Sequence, residues 1–295
     1  MEQSSFVVSP IKQEIDLKAG DIYEGSILVT NPDDSTEDFA FTVSASPFSV
    51  SGTDYKPDFV TVSDWSKITE WISFDTTGGV LKPNESKRIN YVIKVPKDAP
   101  AGGQYAMIAV SSKTNPEIKA SEIRNIYRMG SVIYAKIDGK TIHKGEIIDN
   151  YIPNFVSSGV PTVIVTASNE GNVHETLTVD LKVKNVFNGQ EISLTGEESN
   201  KYDSIIMPGG TRVLSRNLDG LPGLGLFEVT QDVAYIGQSS TNTVTVLVCP
   251  IWFMALSIVT IIAIILGICY RIFSKRKKSL KKQLHFDSAN DNIES

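Results

Sequence analysis

The sequence predicts an all-β protein: two tandem immunoglobulin-like β-sandwich domains followed by a single transmembrane α-helix. Three observations carry this expectation. Short apolar-alternating runs bounded by turn residues recur up to residue 240, while segments of helical period are scarce. Three turn phrases occur twice in the same order, about 120–140 residues apart. Finally, Cys249 to Tyr270 reads CPIWFMALSIVTIIAIILGICY, 22 residues without a charge.

The first domain is expected over residues 5–137, from the runs FVVSP, GSILVTNP, DFAFTVSAS, RINYVIKVP, QYAMIAVSS and SVIYAKIDG. Strand side chains alternate between faces, so Ile27 and Val29 share one face, as do Phe39, Phe41 and Val43; these are core residues. Between the early strands and the phrase LKPNES lies a surplus, Ser51 to Trp71, carrying Tyr55, Phe59, Trp65 and Trp71. Trp71 opens the alternating WISF and is assigned to the core. Aromatic platforms on loops serve sugars or protein partners, which makes Tyr55, Phe59 and Trp65 the candidate binding residues. The competing expectation is a loop pinned onto its own domain by those rings.

The boundary is placed in KIDGKTIHKGEIID, a polar stretch with two glycines, and the second domain over residues 138–240, with PTVIVTASNEG, ETLTVDLKVKNV and GLFEVTQDVAYIG as strands. The repeated phrases fall at equivalent places in the two. VTNPDD, LKPNESKR and APAGGQYAMIAV in the first correspond to VTASNEGN, MPGGTR and LPGLGLFEV in the second, with Gly102, Gly103 and Tyr105 matched to Gly223, Gly225 and Phe227. Proline fixes φ in such a turn and glycine permits φ above zero. SSTNT, residues 239–243, reads as a short polar juncture that holds the second domain close to the bilayer.

The transmembrane helix is expected over residues 246–270. Its uncharged part, Cys249–Tyr270, is roughly 33 Å long at ~1.5 Å per residue, enough to cross a hydrocarbon core of about 30 Å, so the lipid bilayer is its partner. Trp252 and Tyr270 sit near the ends, where amphipathic rings favour the interface, and Pro250 falls in the first turn. Ile258, Ile262 and Ile265 share a helix face that fits another span or lipid equally well. A basic segment, RIFSKRKKSLKK, follows at once, whereas no Lys or Arg occurs from Asn217 to the start of the span. That asymmetry predicts a cytoplasmic tail, residues 271–295, with the body outside. The basic segment acts as a stop-transfer flank and suits anionic headgroups, and the polar end DSANDNIES is expected to be disordered. An outside body needs a leader, and MEQSSFVVSP has neither a basic start nor an apolar stretch, so a cleaved signal peptide is expected to be absent from this chain. A tail-anchored cytoplasmic protein is the competing reading; it would put all seven basic residues of the tail on the wrong side.

Charge and cysteine bound the function class. The net charge of −6 is uneven, with seven Lys/Arg against three Asp/Glu after Tyr270 and −10 left for residues 1–270. An acidic body argues against nucleic acid as partner, because phosphates need a basic face. The two cysteines, Cys249 and Cys269, both lie in the apolar run, so the body has no disulfide and no thiolate metal site; both thiols read as apolar-type side chains more than as lipidation sites.

Taken together, SFVVSPIKQEIDLKAGDIYEGSILVTNPDD, WISF and LKPNESKRINYVIKVPKDAPAGGQYAMIAV resemble the immunoglobulin-like region of bacterial WxL-interacting surface proteins, and more distantly the amino-terminal domain of pilus chaperones. NEGNVHETLTVDLKV resembles the second immunoglobulin-like domain of the same surface proteins. The resemblance spans most of residues 5–236 and implies an exported cell-envelope protein with a single anchor and a basic tail. It further implies that the first domain associates with the cell wall and the second with a partner. It carries over no binding residue.

Enzyme signatures are absent: there is no HExxH, GxSxG elbow, phosphate loop or dinucleotide glycine fingerprint, and no cofactor is called for. Of His143, His174 and His285, His174 stands beside Glu175 but reads as a surface histidine at a strand start, without a nucleophile to serve. NPDDSTEDF gathers Asp33, Asp34, Glu37 and Asp38, yet lacks the glycine and terminal glutamate of a calcium loop, and reads as a solvated hairpin tip rather than a metal site. The expected function is a non-enzymatic, membrane-anchored cell-envelope protein that displays two sandwiches for binding cell-wall polymer or a surface protein. The alternative is a membrane-tethered chaperone or assembly factor that offers a sheet edge to exported subunits. Oligomeric state is left open.

Overall fold

The computed structural model describes residues 6–113, 127–195 and 200–291, the helix past Arg276 by its backbone. In chain order the first part holds β1 (Val7–Ser9), β2 (Lys12–Leu17), β3 (Ile22–Thr30), β4 (Phe39–Pro47), β5 (Ser49–Ser51), β6 (Lys56–Asp58), a 3-10 stretch (Asp64–Glu70), β7 (Ile72–Phe74), β8 (Gly78–Leu81), β9 (Ser86–Lys94), β10 (Gly102–Ser112) and β11 (Arg128–Ile137). The second part holds β12 (Gly145–Tyr151), β13 (Phe155–Val156), β14 (Thr162–Asn169), β15 (Glu175–Asn185), β16 (Lys201–Ile206), β17 (Thr211–Asn217), β18 (Gly225–Tyr235) and β19 (Gln238–Val248), and α1 (Ile251–Asp291) closes the chain. Each of the nine runs singled out in the sequence forms a strand.

Two sheets of order β1-β3-β9-β7 and β2-β11-β10-β4-β8 pack over a core in which Ile27, Val29, Phe39, Phe41 and Val43 are all buried. The alternation of those runs puts their apolar side chains between the sheets, where they leave water. A second pair of sheets, β12-β14-β17 and β13-β19-β18-β15-β16, encloses Val163, Val165, Leu177, Val179, Phe227 and Val229. Pro10, which has no N–H to give a ladder, separates β1 from β2, and the first strand changes sheets there: β1 pairs antiparallel with β3, and β2 pairs parallel with β11.

The repeated phrases fold alike. Asn31 and Asn169, at the ends of β3 and β14, are both 1% exposed. Asn31 Nδ2 donates to the carbonyls of Glu37 and Leu81 at 2.9 and 3.1 Å, and Asn169 Nδ2 to those of Val173 and Ile206 at 2.7 and 2.9 Å. The backbone N–H of each also bonds across the Pro turn, to Glu85 O and Gly210 O, both at 2.9 Å. Asn84 (φ 62°) and Gly209 (φ 70°) hold the same left-handed position after Pro83 and Pro208, where asparagine and glycine are the residues that pay least.

Three expectations need correction. SSTNT is no juncture: residues 239–243 lie inside β19, which continues to Val248. Its inward positions include Ser240 and Asn242, which bond Asn150 on β12, so a polar belt disguises the strand. The helix starts at Ile251 and runs to Asp291, through most of the polar end expected to be disordered. Trp71 caps the 3-10 stretch and is only half-buried against the first core, with β7 beginning one residue later.

Ile251–Arg276 is long and apolar enough to cross a membrane, and none of its apolar stretch is covered by the rest of the protein. Trp252, Ile258, Val259, Leu266 and Ile268 are all more than half exposed, which in water would be an aggregation surface.

Candidate functional site

Strand β10 is buried on both faces. Its Ala106, Ile108 and Val110 enter the first core, while Tyr105 on the opposite face meets the second sandwich. The ring of Tyr105 lies back over Gly103, where a Cβ would come within 2.0 Å of the phenol oxygen. Gly225 and Phe227 repeat this pairing, but there the ring turns into its own core. The matched phrases therefore build a core in one sandwich and a seam in the other.

That seam is closed by hydrogen bonds and rings. Asn172 accepts the Gly103 N–H on its carbonyl at 2.7 Å, and its Nδ2 donates to Ala101 O at 3.1 Å. The His174 N–H donates to Tyr105 Oη at 2.8 Å. Tyr134 sits edge-on to both Tyr105 and His174, with centroids 5.6 and 5.1 Å apart. The insertion completes the joint: Val213 N–H donates to Thr53 O at 2.9 Å, Met207 N–H to Tyr55 Oη at 3.0 Å, and the Arg212 guanidinium lies 4.6 Å from the centre of the Tyr55 ring.

Tyr55, Phe59 and Trp65 are thus brought together in one cluster with Phe48, Tyr105 and Met207. Phe59 stacks on Phe48 at 5.7 Å. The insertion is pinned, as one reading of the sequence expected, but Tyr55 is pinned to the other sandwich. A cavity of about 160 Å³ remains beside it, lined by Phe48, Tyr55, Tyr134, Met207 and Arg212. Sequence reasoning missed Phe48, Tyr134, Met207 and Arg212; the available signal was the near-continuous apolar run QYAMIAV, which marks a strand covered on both sides.

His174 is not the solvated surface residue expected, since it packs between Tyr105 and Tyr134. Glu175 instead meets His143, Oε1 to Nδ1 at 2.6 Å. Burial holds the His174 imidazole below its ordinary 6.5, opposed by Glu14 and reinforced by Lys12 and Lys136, and burial pushes the Tyr105 phenol far up. Both groups are therefore held neutral, which suits a joint better than proton transfer. The sign of the linkage follows: below pH 6.5 the unfolded chain binds a proton at this residue that the folded one resists. His174 should then cost no stability above pH 6.5 and an increasing amount as the pH falls toward its depressed folded value. Melting temperature against pH, compared with His174→Gln, checks this; the variant should lose that part of the slope, distinct from the Glu14 effect, which sets in below the ordinary carboxylate value of 4.5.

Asp33, Asp34, Glu37 and Asp38 lie in the turn between β3 and β4, organised by Asn31, whose Nδ2 bonds the Glu37 carbonyl. His285 falls in the part of α1 described by backbone alone.

A second feature is an open sheet edge. β1 covers β3 only at Leu28–Thr30, and among the described residues no strand pairs with that side of Ile22–Ile27. The bonds Val95 N–H to Asp21 O and Asn31 N–H to Glu85 O, both 2.9 Å, fix the phase of the β3–β9 ladder. Tyr23, Gly25 and Ile27 bond β9, so Ile22, Glu24 and Ser26 turn their N–H and C=O groups to the open side. A depression of about 270 Å³ lies over the β3–β9 pair at this level, lined by Glu24, Gly25, Ser26, Asn90, Tyr91 and Val92.

No family model matches the chain, and no curated protein sequence matches it. Among solved structures it is similar to a chain of a chaperone–tip adhesin complex of CFA/I fimbriae biogenesis, at 14% identity and TM-score 0.39, covering 81% of this chain and 98% of that one. It is also similar to a chain of the CsuC–CsuE chaperone–tip subunit complex of Acinetobacter baumannii, at 11% identity and TM-score 0.38, covering 81% and 98%. The E. coli chaperone DraB is similar at 12% identity and TM-score 0.36, covering 82% and 96%.

Proposed function

We propose that the chain is a non-enzymatic, membrane-tethered holder of an exported polypeptide, acting as an assembly factor at the cell surface. The observation that carries this reading is the open edge of β3. Six residues of strand open on one side are what β-strand addition uses, main-chain bonds giving affinity. Two sandwiches, divided near residue 138, and a span at Ile251–Arg276 with the basic tail cytoplasmic, would hold that edge outside the membrane. Resemblance to WxL-interacting surface proteins supports an exported surface protein as the partner. Wall polymer is less favoured, because Tyr55, Phe59 and Trp65, the aromatic residues that could have formed a platform for a sugar ring on the insertion, are engaged at the seam. In this reading those three residues serve binding indirectly, by fixing the angle between the sandwiches.

Glu24→Pro provides the test. Its lost N–H faces the open edge, so the β9 ladder survives while a partner strand loses its bond. Full-length protein cross-linked in its own membranes should capture an exported polypeptide as wild type and as Glu24→Ala, and should lose it as Glu24→Pro. Capture that is unaffected by Glu24→Pro but abolished by digesting the wall would overturn the proposal in favour of wall binding.

A further inference from the structure

The end of the second sandwich from which α1 emerges differs from the rest of its surface. β19 runs toward the helix, and β18 starts there, with Gly225 opposite Val248. β13 lies parallel to β19, with Phe155 opposite Leu247, and β15 ends there, with Asn185 opposite Phe227. The loops 152–161, 186–190 and 218–224 therefore share one rim around the start of the helix. Apart from Ile142 in the segment before β12 and Ile148 and Tyr151 on it, the large apolar residues exposed among the described residues of this sandwich belong to that rim: Phe155, Val160, Val186, Phe187, Leu224 and Leu247, with Phe187 81% exposed. Charge is nearly missing from these loops. Residues 152–161 and 186–190 carry none, and 218–224 carry Asp219 alone. Lys184 and Glu191, one step up the strands, face each other at 3.7 Å; Glu197 and Glu198 lie outside the described residues.

There is no spacer between rim and helix. Cys249 N–H donates to Val156 O at 2.9 Å, and the first helical residue, Ile251, donates to Ser157 O at 3.2 Å. Leu224 adjoins Gly225, which pairs with Val248, three residues before the helix and so roughly 10 Å of chain at ~3.3 Å per residue. A headgroup layer is about 5–8 Å thick on each side of the hydrocarbon, so a helix that enters the bilayer at Ile251 brings these loops to its surface.

We infer that the rim of the second sandwich is seated on the lipid bilayer, with Phe155, Val160, Phe187 and Leu224 lodged in the headgroup layer. This rests on the spanning role proposed for α1. Burying that apolar surface fixes the tilt of the sandwich over the membrane, and the near absence of charge removes the desolvation cost that would oppose it.

The test uses the full chain in phosphatidylcholine vesicles, with Cys249→Ser and Cys269→Ser as background and an environment-sensitive fluorophore on a single cysteine. Phe187→Cys reports the rim, and Ser239→Cys, exposed at the opposite end of β19, is the aqueous control. A third variant that keeps Cys269 alone reports the span. The label at 187 should emit to the blue of the label at 239 and be quenched by a nitroxide on the lipid headgroup, while Cys269 is quenched by nitroxides on the acyl chain. Quenching at 269 with position 187 behaving like 239 would overturn the seated rim and leave the span intact. Absence of quenching at both 187 and 269 would overturn the spanning reading, and the inference with it.

Discussion

Asn169→Ala should be among the most destabilising single changes in the protein, costing about 3–5 kcal/mol. The side chain is buried and fully used: Nδ2 serves Val173 O and Ile206 O, and Oδ1 accepts the Gly171 N–H at 2.8 Å. Alanine removes all three bonds in a dry place and leaves the Gly171 N–H unmet, an unmade buried group costing about 1–3 kcal/mol. Asn169→Asp should fail to rescue, because a carboxylate would face two carbonyl oxygens. The equivalent Asn31 offers an internal comparison. It bridges Glu37 O and Leu81 O, but its Oδ1 has no hydrogen-bond partner, so Asn31→Ala should cost less than Asn169→Ala. Urea midpoints of the detergent-solubilised chain, followed by circular dichroism, check both the size and the order.

Tyr105→Ala should uncouple the two sandwiches while leaving each core formed. The phenol ring is 0% exposed and its loss costs about 3–5 kcal/mol by the usual range for large aromatic truncations. The cavity would open at the seam, against His174 and Met207, and not inside the first core. Tyr105→Phe keeps the ring but orphans the His174 N–H, for about 1–3 kcal/mol. The expected signature is rapid proteolysis between β11 and β12, at residues 138–144, in Tyr105→Ala, a smaller increase in Tyr105→Phe, and unchanged protection of the β3 and β15 amides in both. Resistance of the 138–144 segment in Tyr105→Ala would mean that the seam is held without Tyr105, by the Asn172 bonds, the Tyr134–His174 contact and the insertion.

Much of this architecture was legible because period-2 patterns survive wherever one strand face is apolar. Ile27, Val29, Phe39, Phe41 and Val43 could be placed in the core from spacing alone. The twice-used turn phrases were also readable, since Pro83 and Pro208 each precede a residue that must take positive φ. β19 was hidden because Ser240 and Asn242 occupy inward positions, satisfied by Asn150, and polar residues on an inner face erase the alternation. The seam was hidden for a different reason. Tyr55, Phe59 and Trp65 were recognisable as a cluster, but what they pack against depends on Met207 and Arg212, about 150 residues away, and sequence spacing holds no information on such a contact. The open edge was invisible in principle, because it is defined by where β1 leaves the sheet and by backbone groups that every residue carries.

The most direct measurement is hydrogen–deuterium exchange of the full-length chain in membranes, with and without its captured polypeptide. Among the β3 amides, those of Ile22, Glu24 and Ser26 should exchange quickly in the free protein, while Tyr23, Gly25 and Ile27, bonded to β9, exchange slowly; capture should slow the first three. A bound polypeptide that leaves Ile22, Glu24 and Ser26 exchanging as fast as before would contradict capture at the β3 edge.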